Sequence, residues 1–233
     1  MKSVVCFTGS RNVKSKGLAY VNQLKSQVES QEISFDILRP GDYQLAPVFD
    51  PSVFFTGNDP SDGTIGDDGT MIKQKLLDAD FIIFSSPVYA HSVSSDFKRL
   101  IDRTASWMHI FRLLGKPSMS VVTASNNGFI QVQEYLEYYM GSLGMEIVES
   151  TIIRTSEIPD ERYTTHVAGK IRDCLAPGHH PTIGDLAEVQ FKYFQRHYRD
   201  LPDTLAEPRY WQEKGWFDVG SLQEYVDRTW GKM

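Results

Sequence analysis

The sequence predicts a doubly wound α/β sheet, and three observations carry that reading. Short apolar, β-branched runs alternate with stretches whose apolar residues recur at helical spacing. Gly or Pro punctuates most of the junctions. One run, Asp80–Ser85 (DFIIFS), is apolar throughout its centre, as a strand covered on both faces must be. Composition agrees: 41% hydrophobic and 23% charged residues over 233 positions belong to a folded domain, not to a disordered chain.

The elements follow in order. Lys2–Thr8 (KSVVCFT) is a strand ended by Gly9-Ser10. From Ser15 or Lys16 to about Ser30 a helix places Leu18, Val21, Leu24 and Val28 on one stripe. Ile33, Phe35 and Ile37 alternate in a second strand, stopped by Arg39-Pro40-Gly41. Residues 41–69 read as irregular, and Met71–Leu77 as a short helix. Asp80–Ser85 is the third strand, ended by Pro87. Ser94 or Ser95 caps a helix to about Trp107, with Phe97, Leu100, Ile101 and Thr104 on its buried side. Ser118–Thr123 is the fourth strand, Phe129–Leu143 the fourth helix and Met145–Arg154 the fifth strand, with Gly144 as a C-cap. Glu161–Leu175 is the fifth helix. Such βαβ units close into a parallel sheet, and five strands fit the flavodoxin type, order 2-1-3-4-5. Ligands then sit outside the carboxyl ends of the strands.

Charge and cysteine usage narrow the function. The net charge of −6 argues against nucleic-acid binding. Residues 1–28 nevertheless carry Lys2, Arg11, Lys14, Lys16 and Lys25 with no acidic residue, which leaves room for a local anion site. No apolar run is long enough to span a membrane, and the N-terminal run is too short for a signal peptide. Cys6 and Cys174 are too few for a disulfide framework or a thiolate metal cluster, so a reducing cytoplasm is expected. Cys6 reads as a core residue.

Three loops at the ligand-bearing edge deserve inspection. Gly9–Gly17 (GSRNVKSKG) has neither the dinucleotide nor the triphosphate glycine pattern. It is a polar, basic turn entering a helix N-terminus, where free N–H groups and the helix dipole favour an anion. Ser10, Asn12 and Ser15 offer donors, Arg11 and Lys16 charge; a capped turn with solvated cations is the alternative. Ser85–Ser94 (SSPVYAHSVS) is apolar for such a loop, and a flat aromatic ligand would cover Val88 and Tyr89, met by the N–H groups of Tyr89–His91. Packing of Tyr89 on the core is the alternative. His91 reads as a hydrogen-bonding residue, not a catalyst. Thr123–Gly128 (TASNNG) is small and polar, able to close over a ligand or simply to cap a helix.

These residues resemble the NAD(P)H-dependent FMN reductase family of the flavodoxin-like superfamily, near its iron–sulfur flavoprotein branch. The resemblance rests on Ala79–Tyr89, with its Ser-Pro-Val-Tyr loop, then Val93-Ser94, Lys98 and Ile101-Asp102-Arg103, and covers roughly residues 1–155. Gly9-Ser10-Arg11 matches less closely: the usual Pro is missing, and Ser15-Lys16-Gly17 replaces Gly-Asn-Thr. The resemblance implies FMN, its phosphate on Ser10, Arg11, Asn12, Ser15, Lys16 and Gly17. The ring would lie on Pro87, Val88, Tyr89, Ala90 and His91, with Thr123, Ala124, Ser125 and Gly128 beside the ribityl and pyrimidine side. NADPH or NADH would supply hydride, and a quinone, flavin or biosynthetic intermediate would accept electrons. No catalytic side chain is expected, because the cofactor carries the chemistry, and no metal. The branch's cysteine cluster cannot be built, since 50–69 contain no cysteine. An FMN-binding electron carrier and a flavin-free α/β binding module stand as alternatives.

Other signals are weaker. Asn58–Gly63 fails as a calcium loop because Gly69 stands where a bidentate Glu is required, and it reads as solvated. His179-His180 lacks further ligands nearby in sequence and reads as a turn. Residues 1–180 form the flavin domain in this reading, and 181–233 an extension. Within 191–230 lie ten of the chain's 28 Phe, Tyr and Trp residues. Leu186, Val189, Tyr193 and Phe194 suggest one more helix, and Glu207–Phe217 an irregular arm. Rings so numerous must be buried; the expectation is a subunit interface, in a homodimer or larger homo-oligomer, rather than the chain's own core.

Overall fold

In a computed structural model, described for residues 1–48, 50, 52, 56, 59, 61–157 and 159–230, the β-branched runs pair into one parallel sheet of order β2-β1-β3-β4-β5. The strands are β1 (Lys2–Thr8), β2 (Ile33–Leu38), β3 (Phe81–Pro87), β4 (Pro117–Ala124) and β5 (Glu146–Arg154). Register is continuous from Val4 opposite Phe35 to Thr8 opposite Ser85, and from Ser85 opposite Val121 to Pro87 opposite Thr123. Pro87 closes β3 rather than stopping it earlier, since only its ring-blocked nitrogen cannot donate. The helices of the sheet domain are α1 (Lys16–Val28), α2 (Gly69–Asp78), α3 (Ser95–Arg103), α4 (Phe129–Ser142) and α5 (Glu161–Leu175). Helix α3 ends earlier than the sequence suggests, and a 3₁₀ turn over Ala105–Ile110 follows it.

Alternation along the strands sends side chains to two cores. Val5, Phe7, Ile82 and Phe84 meet Ile72, Phe97, Leu100 and Leu136 beneath α2, α3 and α4. Val4, Cys6, Phe81 and Ile83 meet Tyr20, Val21, Leu24, Val167 and Ile171 beneath α1 and α5. Cys6 is buried as expected, and burial pushes its thiol well above the ordinary range.

The acidic loop before α2 is solvated over residues 63–66, but the carboxylates of Asp59 and Asp67 are buried. The side chain of Arg103 is 1% exposed, and those of Asp59 and Asp67 2%. Its Nη1 and Nη2 donate to Asp67 at 2.6 and 2.8 Å, Nη2 donates to Asp62 at 2.8 Å, Nε donates to Asp59, and Nη1 reaches the Ala46 carbonyl at 3.2 Å. Lys73 joins Asp59 and Asp62. Burial alone would raise the carboxyls of Asp59 and Asp67; hydrogen bonds from Arg103, joined by Lys73 at Asp59 and by backbone N–H groups at both, together outweigh it and hold both below the usual range. A buried fork-shaped cation thus ties the β2–α2 loop to α3. Asn58 and Pro60 of the calcium-like run lie outside the described residues.

The C-terminal segment forms helices α6 (Asp185–Tyr198), α7 (Ala206–Lys214) and α8 (Leu222–Thr229), with a 3₁₀ turn at Trp216–Asp218. Glu207–Phe217 is therefore mostly helical, not irregular: Pro208 sits in the first turn, where its missing N–H has no role, and Gly215 ends the helix at φ +68°. The interface expectation is corrected for two of the tryptophans. Trp211 and Trp216 are fully buried within the chain, around Phe111, with Phe191, Leu222 and Val226. Trp211 stacks on Phe191 at 5.0 Å and donates its indole N–H to the His109 carbonyl at 3.0 Å.

Candidate functional site

The loops after β1, β3 and β4 meet at the carboxyl edge of the sheet. Gly9 donates its N–H to the Ser85 carbonyl at 2.7 Å, and a Cβ on Gly9 would lie 2.3 Å from Ser94 Oγ, so the first loop presses directly on the second. Gly128 joins the third loop to the second: a Cβ there would stand 2.8 Å from Val88 and 3.1 Å from the His91 backbone, and its φ of +78° favours glycine as well. Val88 N–H donates to the Thr123 carbonyl at 2.8 Å.

In the first loop Ser10 is buried, and its Oγ accepts from Asn12 N–H at 3.3 Å. Asn12 Oδ1 accepts from Lys14 N–H at 2.9 Å, and the Asn12 carbonyl from Ser15 N–H at 2.9 Å. Ser15 is the N-cap of α1, accepting from Leu18 N–H at 3.1 Å. The side-chain oxygens of Asn12 and Ser15 thus shape the turn. The N–H groups of Lys16 and Gly17, in the first turn of α1, have no intrahelical acceptor and point out of the helix end. Lys14 and Lys16 form no ion pair among the described residues. Arg11 does: its Nε and Nη2 donate to Asp96 at 2.7 and 2.8 Å, a bidentate pair across to α3. That hydrogen bond, then the charge of Asp96, raises the Arg11 pKa further. Asp96 is not legible as a partner in the sequence, because the β1–β3 pairing is what brings the two segments together. Tyr43 was also missed; its ring packs edge-on to Phe7 at 6.5 Å, and burial raises its phenol to about 12.

The second loop is a two-residue hairpin. Tyr89 and Ser92 exchange N–H to carbonyl bonds at 2.9 and 3.0 Å, while Ala90 (φ +49°) and His91 (φ +60°) sit at its tip in the left-handed region. Neither is glycine, so the turn carries backbone strain of order 1–3 kcal/mol per residue. The N–H of Tyr89 is taken up inside the hairpin; those of Ala90 and His91 remain available to a ligand. Tyr89, Ala90 and His91 are exposed, so Tyr89 does not pack into the core. In the third loop Thr123 and Ala124 are buried at the end of β4, and Ser125 Oγ accepts from Thr155 Oγ1 at 3.1 Å.

The sequence model of the NADPH-dependent FMN reductase family matches residues 2–160. The chain belongs to this family. Family membership makes it an NAD(P)H-dependent FMN oxidoreductase, and its sheet order is the flavodoxin-like one. No curated protein matches it in sequence. Among solved structures it is similar to an NADH:FMN oxidoreductase (EMOB) in its apo form, at 16% identity and TM-score 0.55, over 79% of this chain and 97% of that one. It is similar to RosB with a bound 8-demethyl-8-formylriboflavin-5'-phosphate, at 12% identity and TM-score 0.55, over 94% of this chain and 88% of that one. An azoreductase from Bacillus anthracis str. Sterne aligns at 14% identity and TM-score 0.51, over 75% of this chain and 98% of that one. At these identities the likeness is one of fold; in the RosB case it extends into the C-terminal helices.

The loops fit the family's cofactor. A helix N-terminus with free N–H groups and nearby cations suits a phosphate, and an exposed apolar hairpin with two unpaired N–H groups suits a flat ring with a polar edge.

Proposed function

We propose that Ser10, Arg11, Asn12, Ser15, Lys16 and Gly17 hold the phosphate of FMN, that Pro87–His91 carries its ring, and that Thr123, Ala124, Ser125 and Gly128 border its ribityl and pyrimidine side. The carrying observation is the contact of all three loops at one sheet edge, through Gly9 against Ser94 and Gly128 against His91. FMN, when bound, supplies hydride and electron transfer. The chain's residues bind and orient it. Asp96 holds Arg11 in place before the phosphate arrives, leaving guanidinium N–H groups for the anion. The N–H groups of Ala90 and His91 face the ring's polar edge, and the strained turn keeps them aimed outward.

Reduced nicotinamide is the donor, and a small quinone, flavin or biosynthetic intermediate the acceptor; the names of the NADH:FMN oxidoreductase and azoreductase neighbours support a small acceptor. Residues 1–180 act as the flavin domain and 181–233 as an extension packed on it. The protein works as at least a homodimer, a reading supported by exposed Tyr138 on α4 and Val189 and Tyr193 on α6 rather than by the buried tryptophans. Two unpaired cysteines support a cytoplasmic setting; among the described residues no helix is long and apolar enough to cross a membrane. The purified protein is expected to show, or to regain with FMN, the visible absorption of oxidised flavin, and anaerobic NADPH or NADH is expected to bleach it. Failure to bind FMN overturns the site, and a flavin that stays oxidised with both nicotinamides marks an electron carrier instead.

A further inference from the structure

At the opposite, amino edge of the sheet, Glu146 converges with two side chains about 30 residues further along the chain. Glu146 opens β5, Cys174 lies in the last turn of α5, and His179 lies in the linker that leads to α6. One ligand atom from each falls within 4.8 Å of the other two. His179 Nε2 and Glu146 Oε2 are 2.7 Å apart, with side chains 20% and 15% exposed. The sequence shows the His179-His180 pair without companions; the fold supplies them.

Two of the donors are oriented by a contact outside the trio. Glu146 Oε1 accepts from Thr182 N–H at 3.1 Å, which leaves Oε2 to face inward. The His179 carbonyl accepts from the Trp230 indole at 3.0 Å, fixing the backbone that presents the imidazole. Metal sites are held by this kind of outer support. The cluster borders a cavity of about 480 Å³ lined also by Lys116 and His180, wide enough to admit an ion and a water.

We propose that Glu146, Cys174 and His179 bind one zinc ion, with water from the cavity in the fourth position, and that the ion clamps the linker to β5 and α5. The donor set selects the metal. One sulfur, one imidazole nitrogen and one carboxylate oxygen suit zinc, whereas calcium and magnesium favour oxygen alone. Tetrahedral bonds of about 2.0–2.3 Å set donor atoms roughly 3.4 Å apart, so His179 Nε2 and Glu146 Oε2, 2.7 Å apart without the ion, separate slightly to admit it. The ion takes the place of the direct His179–Glu146 contact, and the Cys174 thiol gives up its proton to solvent as the sulfur binds. Zn²⁺ with one thiolate and one carboxylate is then electrically neutral, which suits a half-buried place. His180 lies 3.5 Å from Asp227 and stands outside the trio.

The test uses the full chain, stripped with a chelator and titrated with Zn²⁺ against a chromophoric competitor. One zinc per chain is expected, with affinity lowered more than about 100-fold, the upper range for loss of an outer-shell partner, in both Cys174→Ser and His179→Ala. FMN uptake by both variants should match the parent, which shows that they fold. Co²⁺ bound to the unmodified chain should give tetrahedral visible bands and a thiolate-to-cobalt band in the near ultraviolet, a readout that needs no variant. Absence of stoichiometric zinc, zinc held equally by both variants, or cobalt bound without the thiolate band would each overturn the proposal.

Discussion

Arg103→Ala tests the buried cation that fastens the β2–α2 loop. Its guanidinium is the shared partner of Asp59, Asp62 and Asp67, and two of those carboxylates are as buried as the guanidinium itself. Removing it leaves Lys73 to face Asp59 and Asp62, and Asp67 with backbone donors only. Breaking a buried pair from one side costs about 3–5 kcal/mol, and that loss is expected in urea unfolding at pH 7 with an unchanged m value. The pH dependence gives the reasoning its sign. In the parent, Asp59 and Asp67 are held below the usual carboxylate range, so their stabilising contribution is complete above about pH 4 and fades as pH falls through their lower folded values. In the variant, the largest contribution that offsets burial is gone and the same carboxyls titrate higher, so protonation relieves the folded state on acidification. The difference between the two proteins should therefore shrink as pH falls from 7 to 5. A loss under about 1 kcal/mol, within the range of surface pairs, or a loss independent of pH, would refute the argument. Arg103→Lys should rescue little, because a point charge cannot serve three carboxylates as the fork does.

Three further outcomes follow from the site and the extension. Arg11→Ala should weaken FMN by roughly tenfold or more, from about 1.5–3 kcal/mol per charge-assisted contact, while riboflavin titrated in the same fluorescence assay binds as before; equal weakening would place Arg11 elsewhere. Ala90→Asp should abolish FMN occupancy with little change in the melting temperature of the apoprotein, since Asp tolerates the left-handed region better than Ala; a flavin spectrum that survives rejects the ring placement. Trp211→Ala should lower urea stability by about 3–5 kcal/mol without changing the assembly seen by light scattering, and a smaller assembly would return the rings to an interface.

Most of the sheet was legible because its signals are local. The β-branched runs, the caps at Ser15 and Ser94 and the glycine after α4 act over a few residues, and α5 spans Glu161–Leu175 as its pattern predicts. The three loops were legible once the sheet order placed them together. What escaped depends on distant partners. Asp96 meets Arg11 across 85 residues, and Arg103 meets its carboxylates across 36 to 44. Composition shows that ten rings need cover but not what covers them. For four of them the answer is Phe111, which closes the 3₁₀ turn in a left-handed conformation and stands 5.9–6.3 Å from the rings of Phe191, Phe194, Trp211 and Trp216. Pro208 and Gly215 were visible as helix signals, but the aromatic density of that stretch drew the reading away from them.

Phe111 also sets an order of events during synthesis. A ribosome adds on the order of 5–20 residues each second, and amino-terminal units fold first. The sheet can close once β5 has emerged, yet the ring that α6 to α8 surround would stand uncovered until about 70 further residues, on the count from Arg154 to Val226, have been made. In that interval the nascent protein shows an apolar face to the chaperones and to its neighbours. A message that stops early within this interval yields a folded sheet with an adhesive flank, so quality control has a reason to judge this protein only at its last helix.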